Sequence, residues 1–153
     1  MPIIGASDGS FAGTSGITRL GNADTTGITL SGNMYTFGGG ATTLTSAGDI
    51  TMSVTGNGTN GIIRTDNDIT INAGGTNNAG GAFKVTGNAQ ILTSTSDDTI
   101  DIQSNITGVD DTTSTESLTL DTHTGTNTGG TVKIAGNVAG ADAAANNVVS
   151  IKK

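Results

Sequence analysis

The side chains best typed for chemistry are the acidic residues of three short polar stretches. Asp66-Asn67-Asp68, Asp97-Asp98 and Asp110-Asp111 each set hard oxygen donors close together among Gly, Ser, Thr and Asn. Carboxylates in that company are calcium ligands by type. Asp66, Asp68, Asp97, Asp98, Asp110 and Asp111 are therefore the candidate metal positions. Their spacing argues against it, because neither the EF-hand loop nor the Gly-Gly-x-Gly-x-Asp nonapeptide is present. Asp68, Asp98 and Asn147 also stand just before alternating apolar segments, where turn residues belong. His123 is the single histidine and there is no cysteine, which leaves a zinc site without ligands. Arg19, Arg64, Lys84 and Lys133 are far apart, and no Ser-His-Asp or paired-carboxylate arrangement follows from spacing. The expectation is a non-enzyme, with calcium the one cofactor its side chains suggest.

The elements that carry these residues repeat. Ile69–Gln103 returns without a gap as Leu118–Lys152. Ile69 and Ile71 become Leu118 and Leu120, Gly80-Gly81 becomes Gly129-Gly130, and Phe83-Lys84-Val85 becomes Val132-Lys133-Ile134. Ile28–Thr45 aligns in the same way on Ile69–Thr86. Apolar positions and glycines hold while the rest drifts, as in structural repeats whose copies bury their apolar faces on one another. The copies run over 28–68, 69–117 and 118–153, with a partial copy over 1–27, in one domain spanning 1–153.

Period-two alternation predicts strands at Ile28–Ser31, Ile69–Asn72 and Leu118–Asp121. Others follow the glycine pairs, at Ala41–Thr45, Ala82–Thr86 and Thr131–Ala135. A third set covers Ile50–Val54, Ile100–Gln103 and Val149–Lys152. A weaker Gly-Ile-x-Arg set covers Gly16–Arg19 and Gly61–Arg64, with Asn105–Val109 a poor third member. The stretch 89–96 reads as a polar loop. Ile69 and Ile71 should point inward and Thr70 outward. Lys84, between Phe83 and Val85, should also point outward, and Lys84 and Lys133 should share a solvated column. No stretch has helical spacing. The fold class is all-β, a parallel β-solenoid or β-helix built from internal repeats, right-handed by the crossover rule. A module of roughly 40–50 residues fits either one long rung or two short ones.

Composition supports thin layers rather than a thick core. Hydrophobic residues make up 33% and aromatics 3%, with no Trp, so Ile, Val, Leu and Ala must fill the interior. The net charge of −7 and six scattered Lys and Arg exclude a phosphate-neutralising stripe, and no nucleic-acid partner is expected. No apolar run nears the roughly 20 residues of a transmembrane helix, so no membrane insertion is expected. The opening residues show no signal segment.

Gly48-Asp49-Ile50-Thr51-Met52, Asn67-Asp68-Ile69-Thr70-Ile71-Asn72-Ala73-Gly74-Gly75 and Val132-Lys133-Ile134-Ala135-Gly136-Asn137 resemble the phrases of bacterial surface β-helices of the filamentous-haemagglutinin and autotransporter-passenger type. That resemblance implies display outside a bacterial cell, as an adhesin stalk or filament. Neither terminal strand carries an evident cap, and an uncapped solenoid end pairs with another chain. The expected function is thus a structural, self-associating extracellular subunit that stacks head to tail. Ile3, Ile4, Val148, Val149 and Ile151 are the expected junction. The alternative is an adhesin or fibre module that recognises a glycan or host surface through loops such as Ser104–Ser117, with Tyr35, Phe11, Phe37 and Phe83 as the rings able to stack on sugar. Thr43-Leu44-Thr45, Thr93-Ser94-Thr95 and Thr122-His123-Thr124 resemble ice-binding threonine ladders but do not recur at a fixed place.

Overall fold

A computed structural model of the chain describes residues 17–36, 40–53, 61–75, 80–93, 97–108, 117–122, 129–139 and 148–152. Its strands coil in rungs of three. The first rung holds β1 (Thr18–Leu20), β2 (Ile28–Leu30) and β3 (Met34–Thr36). The second holds β4 (Thr42–Ser46), β5 (Ile50–Ser53) and β6 (Gly61–Thr65). The third holds β7 (Ile69–Ala73), β8 (Ala82–Thr86) and β9 (Asn88–Thr93). The fourth holds β10 (Thr99–Ile102), β11 (Asn105–Gly108) and β12 (Ser117–Asp121). The fifth holds β13 (Thr131–Ile134), β14 (Val138–Ala139) and β15 (Val148–Lys152).

Stacking the rungs makes three five-stranded sheets: A (β1-β4-β7-β10-β13), B (β2-β5-β8-β11-β14) and C (β3-β6-β9-β12-β15). Every neighbouring pair is parallel. The fold is a three-sided parallel β-solenoid. Thr18, Thr42, Ile69, Ile100 and Val132 form one column of sheet A, so a rung takes from 24 residues (Thr18 to Thr42) to 32 (Ile100 to Val132).

This geometry differs from both rung readings of the sequence. The repeat is five strands long, whereas a turn of the coil is three. Strands opening the copies, β2, β7 and β12, fall on sheets B, A and C in turn. So do β5, β10 and β15. Lys84 and Lys133, equivalent in the repeat, therefore stand on sheets B and A and share no column. The repeat alignment also passed over β3, β9 and β14. The stretch 89–96 is not simply a loop, because Ala89, Ile91 and Thr93 of β9 are buried.

The interior follows the alternation. Leu44, Ile71 and Ile102 stack in register on sheet A, Ile50 and Phe83 on sheet B, and Ile63, Ile91 and Leu120 on sheet C, all fully buried. Burial of each such side chain is worth about 1.5–3 kcal/mol. One corner is polar. Thr36 and Thr65 share a register position on sheet C, as do Thr65 and Thr93. Thr122 lies just past the paired Leu92 and Asp121. All four threonines are buried. The Thr36 and Thr42 hydroxyls share a 2.7 Å hydrogen bond across that corner, and Asn67 N donates to Thr65 Oγ1 at 3.2 Å. Thr93 and Thr122, in two of the threonine motifs set aside above, thus face inward.

Rungs approach closely at the corner between sheets A and B. A Cβ on Gly81 would run into the Gly48 carbonyl, and one on Gly48 into that of Thr26. This is the physical reason for glycine at the second place of the Gly80-Gly81 pair.

Candidate functional site

The sheets turn three straight columns outward, with strands about 4.8 Å apart. Sheet A presents Arg19, Thr43, Thr70, Asp101 and Lys133 in register. Sheet B presents Thr29, Thr51, Lys84, Thr107 and Ala139. On sheet C the positions are Tyr35, Arg64, Leu92 and Asp121. Threonine fits these places because its β-branch suits a pleated surface. Lys84 interrupts the threonines of sheet B, and Arg19, Asp101 and Lys133 flank those of sheet A.

Carboxylates and amides before strands bind rung to rung. Asp68 Oδ1 accepts Thr99 N–H at 2.6 Å, and Asp49 Oδ1 accepts Ala82 N–H at 3.0 Å. Asn105 Oδ1 accepts Asn137 N–H at 2.9 Å, and Asn33 Oδ1 accepts Ile62 N–H at 3.1 Å. Each bond reaches from one rung to the next, between residues 29 to 33 apart. Each supplies a partner to a backbone N–H at or beside the start of a strand: Thr99 opens β10, Ala82 opens β8, Ile62 is second in β6 and Asn137 precedes β14. The carbonyls of Asp68 and Asp49 serve the rung on the other side, accepting Thr42 N–H at 2.9 Å and Ile28 N–H at 3.0 Å. Asp49 also pairs with the Lys84 ammonium at 2.5 Å. Burial pushes the Asp49 carboxyl up, but the Lys84 bond, the Ala82 N–H and the Lys84 charge outweigh it and hold the group below its ordinary value.

The candidate calcium residues stand apart in this frame. Among the described residues, no three His, Cys, Asp or Glu side chains converge on a metal position. Asp68 is committed to Thr99. Asp98 is buried. Asp97 adopts φ +73°, a turn conformation that Asp tolerates. Asp110, Asp111 and His123 lie outside the described residues.

The candidate glycan-binding parts divide similarly. Phe83 is fully buried and offers no ring to a sugar, a correction to the sequence reading. Tyr35 is half-buried on the outer face of sheet C, and its hydroxyl accepts Asn33 Nδ2–H at 3.1 Å. Phe11 and Phe37 are outside the described residues. Ser104–Ser117 is not a plain loop: Asn105–Gly108 is β11, Ser104 is buried, and Ser117 opens β12.

Among the described strands, those of the first and fifth rungs stand at the ends of the three sheets. Val138 continues the inward column of Ile106 and Phe83, yet is 51% exposed. Ile151 continues the inward column of Leu120 and Ile91, yet is 50% exposed. Leu20, Ile28, Val132 and Ile134 pack on the core from one side. Of the expected junction residues, Val148, Val149 and Ile151 lie in β15, while Ile3 and Ile4 are outside the described residues. The sequence reading passed over Val138, whose signal is its place in the alternation after Gly136-Asn137. Among family models, curated proteins and solved structures, nothing matches this chain.

Proposed function

We propose that this chain is a structural subunit that stacks end to end with copies of itself, outside a bacterial cell. The observation that carries the reading is the fifth rung. Among the described strands β13, β14 and β15 have no further partner, and Val138 and Ile151 expose apolar surface in columns that are buried through the second, third and fourth rungs. A free parallel edge above an apolar cross-section is satisfied by another strand. A contact between the two different ends of one molecule does not close, and generates a filament. The resemblance to surface β-helices supports the extracellular setting.

The test is negative-stain electron microscopy of the purified chain at micromolar concentration, with and without calcium, beside an Ile151→Lys, Val138→Asp variant. Fibres of uniform width from the parent chain, and short particles from a variant with an unchanged β-rich circular dichroism spectrum, are the expected result. Equal assembly of the two overturns the role of the fifth rung, and a parent chain that stays monomeric overturns the filament. Fibres that need calcium would make the acidic stretches ligands.

A second reading rests on Tyr35, a half-buried ring on the outer face of sheet C in line with Arg64 and Asp121. Such a row suits an adhesin module that binds a glycan. A glycan array probed with the parent and with Tyr35→Ala tests it, and an absence of hits sinks it.

A further inference from the structure

The geometry points to Asn105 as the attachment site of an N-linked sugar. This rests on the extracellular setting proposed for the chain and is independent of end-to-end stacking. Asn105-Ile106-Thr107 is an Asn-x-Thr sequence without proline at its middle place, the acceptor pattern of N-glycosylation. Among the described asparagines Asn105 alone opens such a motif. Three residues of these common types also meet by chance, and what sets Asn105 apart is its place in the fold.

Asn105 opens β11 and turns its side chain outward, since Ile106 beside it is buried in the core. Thr107 points the same way, because side chains alternate along a strand. The amide and the hydroxyl therefore stand on one face of sheet B, with backbones roughly 6–7 Å apart. In the rung on one side the register partner is Ala82, whose methyl leaves room. In the rung on the other side, extension of the β11–β14 pairing brings Asn137, which is exposed. The residues on both sides of the ladder and along the strand belong to the described segments 80–93, 97–108 and 129–139.

The fold divides the two ends of this amide. Asn105 Oδ1 accepts Asn137 N–H at 2.9 Å, and among the described residues nothing hydrogen-bonds to Nδ2. Asn33 is the contrast, with Oδ1 spent on Ile62 N–H and Nδ2 donated to the Tyr35 hydroxyl. Glycosylation acts on the nitrogen alone. Nδ2 forms a bond to the anomeric carbon of a sugar activated on a pyrophosphate carrier. The bond from that carbon to the pyrophosphate oxygen breaks, the pyrophosphate leaves with the electron pair, and the amide gives up one proton. The carbonyl oxygen is untouched, so the modified side chain still accepts Asn137 N–H. Sugar is added at the surface while the bond between the fourth and fifth rungs stays.

The experiment secretes the full chain behind a signal segment, from a host that transfers oligosaccharide from a lipid pyrophosphate to Asn-x-Ser/Thr. An Asn57→Gln background removes the chain's other such motif, Asn57-Gly58-Thr59, which lies outside the described residues. Peptides are mapped by mass spectrometry before and after peptide-N-glycosidase. The glycan should sit on the Asn105 peptide, persist in Thr107→Ser and vanish in Thr107→Val, whose branched side chain keeps the strand. The host supplies the extracellular setting, so a secreted chain with bare Asn105 overturns the site itself. Localisation of the untagged chain to the cytosol of its own source cells overturns the setting instead. The second readout is the melting temperature. The glycosylated chain should melt with the same chain made in a host without the transferase, whereas Asn105→Ala should melt about 2–4 °C lower. A glycosylated chain that melts as low as Asn105→Ala would mean that the sugar breaks the bond to Asn137, and overturns the division of the amide.

Discussion

Asp68 and Thr99 are 31 residues apart in sequence, and the carboxylate Oδ1 of the first accepts the backbone N–H of the second at 2.6 Å. With the Asp68 carbonyl serving Thr42 on the opposite side, one residue ties three successive rungs. The acceptor is an oxygen, not a charge. Asp68→Asn should therefore stay within about 0.5 kcal/mol of the parent. Asp68→Ala leaves Thr99 N–H without its side-chain partner and should cost about 1–2 kcal/mol. Urea denaturation midpoints of the two variants decide it, and equal losses would show that charge rather than the hydrogen bond matters.

Gly81→Ala tests the close approach of rungs. The added methyl meets the Gly48 carbonyl, a backbone atom that cannot swing aside as a side chain can. The rungs must part at this corner, at a cost of about 1–3 kcal/mol. Gly129→Ala is the contrast: nothing lies within 4 Å of its Cβ, but φ is +87°. Its cost, about 1–2 kcal/mol, is one of backbone conformation alone. Thermal melts should show both losses. A melting temperature for Gly81→Ala equal to the parent's would mean the corner yields without cost.

The inward columns were legible because Ile69, Thr70 and Ile71 state the period-two rule in three residues, and their neighbours in the stack state it again. Met34–Thr36 and Asn88–Thr93 were harder to read. Each lies at or beside a Gly-Asn pair, which looks like a turn, and inward positions such as Thr36, Ala89 and Thr93 carry weak apolar signal. The three-sided section was hidden by the repeat itself, since a five-strand motif laid on a three-strand coil never marks the same face twice running. Nor could the role of Asp49 or Asp68 be read locally. The turn position of Asp68 was visible, but its hydrogen-bond partner belongs to the next rung.

Asp49 makes stability depend on acid. Its carboxyl is held below its unfolded value, near 3.9, chiefly by Lys84 and Ala82 acting against burial. The folded state therefore binds the proton less readily than the unfolded chain does. The stabilisation is complete above the unfolded value and drains away as pH falls through the lower, folded one. Asp49 and Lys84 are both more than a third exposed, which keeps the contribution small. Asp49→Asn keeps an acceptor for Ala82 and removes the titration. Between about pH 5 and pH 2 the parent should lose more stability than this variant. Parallel slopes over that range would assign the acid response to other carboxylates.

The buried threonines divide by partner, and that division predicts opposite signs. Thr36 and Thr42 satisfy one another at 2.7 Å, so Thr42→Val strands the Thr36 hydroxyl in the interior and should cost about 1–3 kcal/mol. Thr93 occupies the same column, but its Oγ1 has no hydrogen-bond partner among the described residues. Valine has nearly the same shape and needs no partner, so Thr93→Val removes a desolvation penalty and should raise stability by about 1 kcal/mol. Changing Thr36 and Thr42 to Val together removes both ends of a satisfied pair and should come close to neutral. Adding Thr36→Val alone completes a double-mutant cycle with the parent, Thr42→Val and the double variant, and Thr93→Val is its control. If Thr93→Val destabilises as much as Thr42→Val, the Thr93 hydroxyl has a partner after all, and the polar column runs continuously through the corner.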